Sequence, residues 1–174
     1  MSESITYLHI RAINACSSSA ILQIGQNHFP CLIGKSGRRH LKREGDGATP
    51  IGRWRVTELR YRPDRVRGLS SKIPTRPMKP NDGWCDAVAH RSYNRSISLP
   101  FAGGHEKLWR EDHAYDIVGM TDHNQRPRVR GLGSAIFFHV INEGATGTEG
   151  CVALSKHHLK LVLQRISKKT YLVI

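Results

Sequence analysis

The sequence predicts a mainly β fold, a β-sandwich or β-sheet domain with long loops and one helix near the C-terminus. Three observations carry this prediction. Short β-prone apolar runs recur along the chain, turn-rich segments separate them, and only one stretch has the apolar spacing of a helix.

In chain order the runs are "ITYLHIRAI" near 5–13, "AILQI" at 20–24, "HFPCLIG" at 28–34, "WRVTELR" at 54–60, "SISL" at 96–99, "YDIVGM" at 115–120 and "AIFFHVI" at 135–141. Each is rich in β-branched or aromatic residues, which pack well on a pleated surface. Between them lie "GKSGRR", "EGDGATPIG", "PTRPMKPNDG" and "PFAGG", whose glycines and prolines supply turn geometry. The segment 62–95 is rich in Pro, Arg and Gly with little periodicity, which predicts a long excursion over the surface. After Ser155, a good N-cap, Leu159, Val162, Leu163 and Ile166 fall on one helical face, and Lys168 and Lys169 suit the C-terminal end. The closing "TYLVI" is β-prone and predicts a last strand docked into the sheet.

A chain of 174 residues suits one domain spanning 1–174. Its 39% hydrophobic and 24% charged residues exclude a disordered polymer. Lys and Arg number 27 against 14 Asp and Glu, giving +13, so an anionic partner is expected. A single-strand nucleic-acid binder is disfavoured, because aromatics are 7% and do not interleave with the basic residues as a stacking platform requires. Cys16, Cys31, Cys85 and Cys151 form no C-x-x-C pair and no H-E-x-x-H is present, so neither a structural nor a catalytic metal is expected. Cys16 and Cys31 lie in strand-like surroundings and read as packing residues; Cys85, in "GWCDA", is a rival nucleophile to Cys151. The first 25 residues carry no signal-peptide pattern, and no run of about 20 apolar residues occurs. A monomer without a membrane span is the expectation.

The chemistry concentrates in "FFHVINEGATGTEGCVALS", residues 137–155. His139 ends an apolar run, and the Gly-rich loop 143–150 is long enough to turn the chain back and set Cys151 beside it. A cysteine nucleophile needs a base in reach, a group to orient that base and donors for an oxyanion. Here His139 is the base, a backbone carbonyl orients it, and the amides of Gly150 and Cys151 serve as donors; an imidazolium nearby would favour the thiolate. The spacing alone reads more readily as two buried neighbours, since free cysteine and a lone histidine in an apolar run are commonly core residues. Tyr93–Asn94 and Tyr115–Asp116 are further candidates to line a cleft, while Arg53, Arg91, Arg95 and Arg126 read as solvated surface charge.

"GSAIFFHV" followed by "TEGCVALS" resembles the signature of the L,D-transpeptidases with a YkuD-type catalytic domain, in which His precedes Ser/Thr-x-Gly-Cys. "EGDGATPIG" resembles the Thr-Pro-x-Gly element that such domains carry upstream, and "GWCDAVAHRSYNR" and "HAYDIVGMTDHNQRP" look like a short bacterial subgroup. The resemblance runs from about residue 30 to the C-terminus. It implies Cys151 as nucleophile, His139 as base, Gly150 as the glycine beside the oxyanion, and a carbonyl such as that of Val140 orienting the histidine. Thr148, Glu149, Thr49, Tyr93, Asn94 and Tyr115 are the implied substrate-binding residues. Glu149 stands where many members have His, and Ala153 where many have Asn or Arg.

The implied reaction is a cofactor-independent acyl transfer on peptidoglycan stem peptides, with an amine acceptor giving a 3→3 cross-link and water giving an L,D-carboxypeptidase. A basic module binding an anionic polymer without chemistry is the alternative. The substrate implies the cell envelope; the absence of a visible leader is equally compatible with recycled fragments in the cytosol.

Overall fold

The computed structural model describes residues 5–14 and 16–174. In chain order the strands are β1 (Tyr7–Ala12), β2 (Ser19–Ile24), β3 (Asn27–Leu32), β4 (Arg38–Arg39), β5 (Thr49–Pro50), β6 (Arg53–Tyr61) and β7 (Thr75–Pro77). They continue with β8 (Asp82–Cys85), β9 (Arg95–Ser98), β10 (His105–Lys107), β11 (Ile117–Thr121), β12 (Phe137–Val140), β13 (Val152–Leu154) and, after helix α1 (Lys156–Arg165), β14 (Tyr171–Val173). The fold is mainly β with one C-terminal helix, as predicted.

The main sheet runs β11-β12-β13-β3-β2-β1-β14-β6-β7, and β6 also pairs with β11. The strands from β11 round to β6 therefore close on themselves, with β7 attached outside the ring. The nine residues of β6 make this possible: Arg53 to Arg55 pair with β14, while Val56 to Tyr61 pair with β11 across a register shift at Met120/Thr121. Closure removes the exposed edges that an open sheet of this size would present.

Strand alternation sorts the side chains into two clusters. Inside the ring lie Leu8, Ile10, Leu22, Ile24, Cys31, Val56, Leu59, Ile117, Phe138, Val140, Val152, Leu154 and Leu172, joined by Leu159, Val162 and Leu163 of α1. The Ser155 hydroxyl accepts from the His158 amide at 3.2 Å and caps α1. Because the helix stops at Arg165, Lys168 and Lys169 belong to the turn before β14 rather than to its last turn. The terminal strand lies centrally, parallel to β1 and antiparallel to β6. On the outer face of β11 to β13, Val118, Met120, Phe137 and Cys151 pack with Met78, Trp84, Leu108 and Tyr115.

The segment 62–95 differs from its expectation. It contains β7 and β8, and Val66, Ile73, Met78, Trp84, Cys85 and Tyr93 are buried. The short sheet β10-β8-β9 covers the outer face of the main sheet. Its apolar residues are scattered among prolines, glycines and charges, so no periodic run reveals them. Cys16 also departs from expectation: it is exposed in the turn between β1 and β2, its amide bonded to Asn14 Oδ1. Cys85 is fully buried in β8.

Candidate active site

Two parallel strands build the reacting corner. Phe138 pairs with Val152, His139 with Ala153 and Val140 with Leu154. Since Phe138, Val140, Val152 and Leu154 face the ring interior, His139, Cys151 and Ala153 share the outer face, on neighbouring strands. They line a cleft of about 420 Å³, with Tyr115, Ser134, Ala135, Asn142, Thr148 and Glu149.

Cys151 Sγ accepts from the Phe137 amide at 3.3 Å and donates to the Ala135 carbonyl at 3.2 Å. Burial pushes the thiol up to about 12, against the lowering effect of the Phe137 amide. His139 Nδ1 lies 2.7 Å from the Val140 carbonyl. That carbonyl can only accept, so Nδ1 carries the proton and Nε2 presents a lone pair. Burial brings His139 down to about 4, opposed by the Val140 and Ala114 carbonyls. At neutral pH the resting pair is a thiol and a neutral imidazole, which corrects the expectation of a thiolate beside an imidazolium. The Tyr115 ring meets the imidazole edge-on at 5.3 Å.

The turn before Cys151 is held from behind. Thr148 Oγ1 donates to the Cys151 carbonyl at 2.7 Å and accepts from the Gly150 amide at 3.1 Å. Of the two amides expected to receive an oxyanion, that of Gly150 is thus already engaged at rest. The glycine's demonstrable part is conformational: at φ +131° an added Cβ would lie 2.8 Å from the Ala48 carbonyl.

A model of the L,D-transpeptidase catalytic domain, YkuD, matches residues 20–174. The chain belongs to that family. No curated protein and no solved structure gives a match.

Within this L,D-transpeptidase domain, the upstream "EGDGATPIG" block does two things: Glu44 and Gly45 line the cleft, while Ala48 and Thr49 back the turn before Cys151. Thr49 is fully buried and its Oγ1 accepts from the Gly34 amide at 2.8 Å, correcting its reading as a substrate-binding residue. Gly34 in turn bridges Thr148, and Ala48 lies against Gly150. Thr148 lines the cleft, but its hydroxyl is committed to the turn. Glu149 lines it too, exposed and paired with Lys35 at 2.6 Å.

Tyr93 and Asn94 also need correction, since both are buried beneath the cleft lining. The Tyr93 hydroxyl donates to Glu44. Asn94 fills all four of its hydrogen-bonding positions: its Oδ1 accepts from Trp84 Nε1 (2.9 Å) and the Ala135 amide (3.2 Å). Its Nδ2 donates to the carbonyls of His123 (3.1 Å) and Asn124 (3.0 Å). It thereby fixes Ala135, the residue whose carbonyl accepts the hydrogen bond from the Cys151 thiol. Asp116 is buried under Arg65, His113 and Lys156, away from the cleft lining.

Arg53, Arg91, Arg95 and Arg126 are exposed and none lines the cleft. The lining cation is Arg110, which forks onto Asp112 at 2.6 to 3.1 Å and lies 5.1 Å from the Tyr115 ring centre. Sequence reasoning missed Arg110 and the carboxylates of Glu44, Asp86 and Glu106. Each arrives from a different loop or short strand, and no spacing rule joins them.

Proposed function

We propose that this domain is a peptidoglycan L,D-transpeptidase in which Cys151 attacks the carbonyl of the third residue of a tetrapeptide stem. The observation that carries the reading is that Cys151 and His139 line one cleft on the same outer face, with the His139 Nδ1–H held by the Val140 carbonyl and Nε2 left to take a proton. A base of low pKa beside a thiol of high pKa acts by taking the proton as the sulfur attacks, because the thiolate is scarce at rest.

As the Sγ–C bond forms, the thiol proton moves to Nε2. The carbonyl oxygen gains the charge and is received by the Cys151 amide, Gly150 leaving the approach open. Collapse breaks the peptide bond, and His139 returns the proton to the departing amine of D-Ala. A thioester remains. An acceptor amine then attacks it, His139 takes the amine proton, and the sulfur leaves and is reprotonated, giving the 3→3 cross-link. Water in place of the amine releases a tripeptide.

Incubating the protein with a tetrapeptide muropeptide and separating the products tests the reading. A cross-linked dimer supports the transferase and a tripeptide the carboxypeptidase. Unchanged muropeptide, together with no mass adduct on Cys151 from a carbapenem, would sink both and leave a basic binding module.

A further inference from the structure

Charge is segregated around the ring. Apart from Glu3, every Asp and Glu lies between Glu44 and Glu149. Strands β1, β2, β3, β13 and β14 and helix α1 therefore carry no acidic residue, and the turn after α1 adds Lys168 and Lys169. The excess of +13 is concentrated on that side of the molecule.

Strand alternation puts Leu8, Ile10, Val56 and Leu172 inside the ring and turns Tyr7, His9, Arg11, Tyr171, Arg53 and Arg55 outward. In register across the sheet, Arg55 lies beside Tyr171 and Tyr171 beside Tyr7. The Arg55 guanidinium sits 4.5 Å from the Tyr171 ring centre and bonds its hydroxyl, and Arg53 lies 5.9 Å from the Tyr7 ring centre. The two rings stack with centres 6.1 Å apart and planes inclined by 27°. Each guanidinium is braced by a ring, so its donors are held at the surface with less freedom left to lose on binding.

Among the described residues Arg11, Arg53, Arg55, Lys168 and Lys169 make no ion pair. Asp122 takes the Arg55 amide at 2.7 Å and leaves its guanidinium free of a carboxylate. Braced cations on an acid-free face suit an anion brought from outside.

Position on the ring narrows its source. Three strands separate β1 from β12 in either direction, and three separate β14 from β13, so this face looks away from the cleft. A peptide seated at Cys151 lies on the far side of the barrel. Single-stranded nucleic acid is disfavoured, because Tyr171 stands between Arg55 and Tyr7 and the ladder offers no row of open ring faces for successive bases. A second copy of the chain would set the unpaired cations of one face against those of the other. A lipid surface fits: tyrosine rings suit headgroup depth, and the basic groups suit lipid phosphates. Ile13, 66% exposed just beyond β1, offers an apolar side chain to the acyl boundary.

We propose that the outer face of β1, β14 and the first residues of β6 docks the domain on an anionic lipid surface, through Arg11, Arg53, Arg55, Lys168 and Lys169, with Tyr7 at headgroup depth. The Cys151 cleft then opens away from the membrane. This orientation holds whatever reaction Cys151 performs.

Sedimentation of the full chain with lipid vesicles provides the test. Vesicles of phosphatidylcholine mixed with phosphatidylglycerol should bind at least about tenfold more tightly than phosphatidylcholine alone, and added salt should weaken the binding. Combining Arg53→Gln with Arg55→Gln should lower affinity by about twentyfold at an unchanged melting temperature, since each basic group near an anionic surface is worth about fivefold. Combining Arg91→Gln with Arg130→Gln removes the same charge from the β8–β9 and β11–β12 loops, and should cost less than about threefold.

Equal affinity for the two vesicle types, or equal losses from the two pairs of variants, overturns the proposal. Tighter binding to a single-stranded oligonucleotide than to the anionic vesicles also overturns it and gives the face to a soluble polyanion. Muropeptide conversion is measured separately, so failure to dock leaves the nucleophile standing, and docking without conversion leaves the face.

Discussion

Cys31 and Cys151 are two buried free thiols on neighbouring strands, and burial pushes both up to about 12. Cys31 points into the ring, among residues held by the α1 side of the core. Cys151 stands on the opposite face, at a cleft, on the same side as His139. A perturbed thiol is therefore no mark of a nucleophile in this protein. What separates the two is an oriented imidazole, a glycine turn and an opening for a peptide. The inner face of β12 and β13 is packed to hold these strands in register; the outer face uses that register.

The sharpest break between the two thiols is expected in turnover. Cys151→Ala should lower muropeptide conversion by about 10⁴-fold or more. Cys31→Ala should leave the rate alone and lower unfolding free energy by roughly 1–2 kcal/mol, read by chemical denaturation. His139→Ala comes next, with a rate loss of about 10²–10⁴-fold and little change in melting. Equal losses of rate from the Cys31 and Cys151 variants would erase the distinction.

Supporting residues should show the opposite balance. Asn94→Ala leaves the Trp84 indole N–H, the Ala135 amide and two carbonyls without their partner, so a loss of about 2–4 kcal/mol is expected, with activity falling as Ala135 loosens. Gly150→Ala places a Cβ against the Ala48 carbonyl at a positive φ and should cost about 1–3 kcal/mol. At the small end, Lys35→Ala removes an exposed ion pair with Glu149 and should shift stability by no more than about 0.5 kcal/mol. Denaturant midpoints with unchanged slopes check all three.

The pH dependence of stability has a definite sign. Both buried thiols stay protonated in the folded chain above their ordinary 9.0, whereas unfolded thiols ionise there. Their contribution is fully present below pH 9 and is lost as pH rises from 9 toward 12. His139 and His123 are both brought from 6.5 to about 4 by burial, so the unfolded chain takes up more protons between those values. Stability therefore falls as pH drops from 6.5 toward 4. Melting curves across both windows, repeated with Cys31→Ala, separate the two thiols: the alkaline loss should shrink and the acid loss should stay.

Much of the fold was legible because β-prone runs and turn residues act locally. Seven predicted runs coincide with β1, β2, β3, β6, β9, β11 and β12, and Ser155 begins the helix as its side chain dictates. The short strands β7, β8 and β10 were not legible, since three or four residues among prolines and charges carry no period. The placement of His139 and Cys151 at one cleft, with the Val140 carbonyl against Nδ1, was legible through a contiguous stretch. Thr49, Tyr93 and Asn94 were misread: their polar groups suggested contact with substrate, and packing instead gave those groups to Gly34, Glu44, Trp84 and Ala135.

The sequence by itself determined that a histidine at the end of one strand and a cysteine beyond a glycine turn would be neighbours, because a short loop and strand alternation allow little else. Tertiary structure alone decided the charge of the thiol and imidazole, and the company they keep. Burial depends on how β8, β10 and the 62–112 segment close over the outer face. The carboxylates of Glu44, Asp86 and Glu106 meet only because loops far apart in the chain converge there. Solvation and long-range charge are properties of that assembled surface, and no local pattern encodes them.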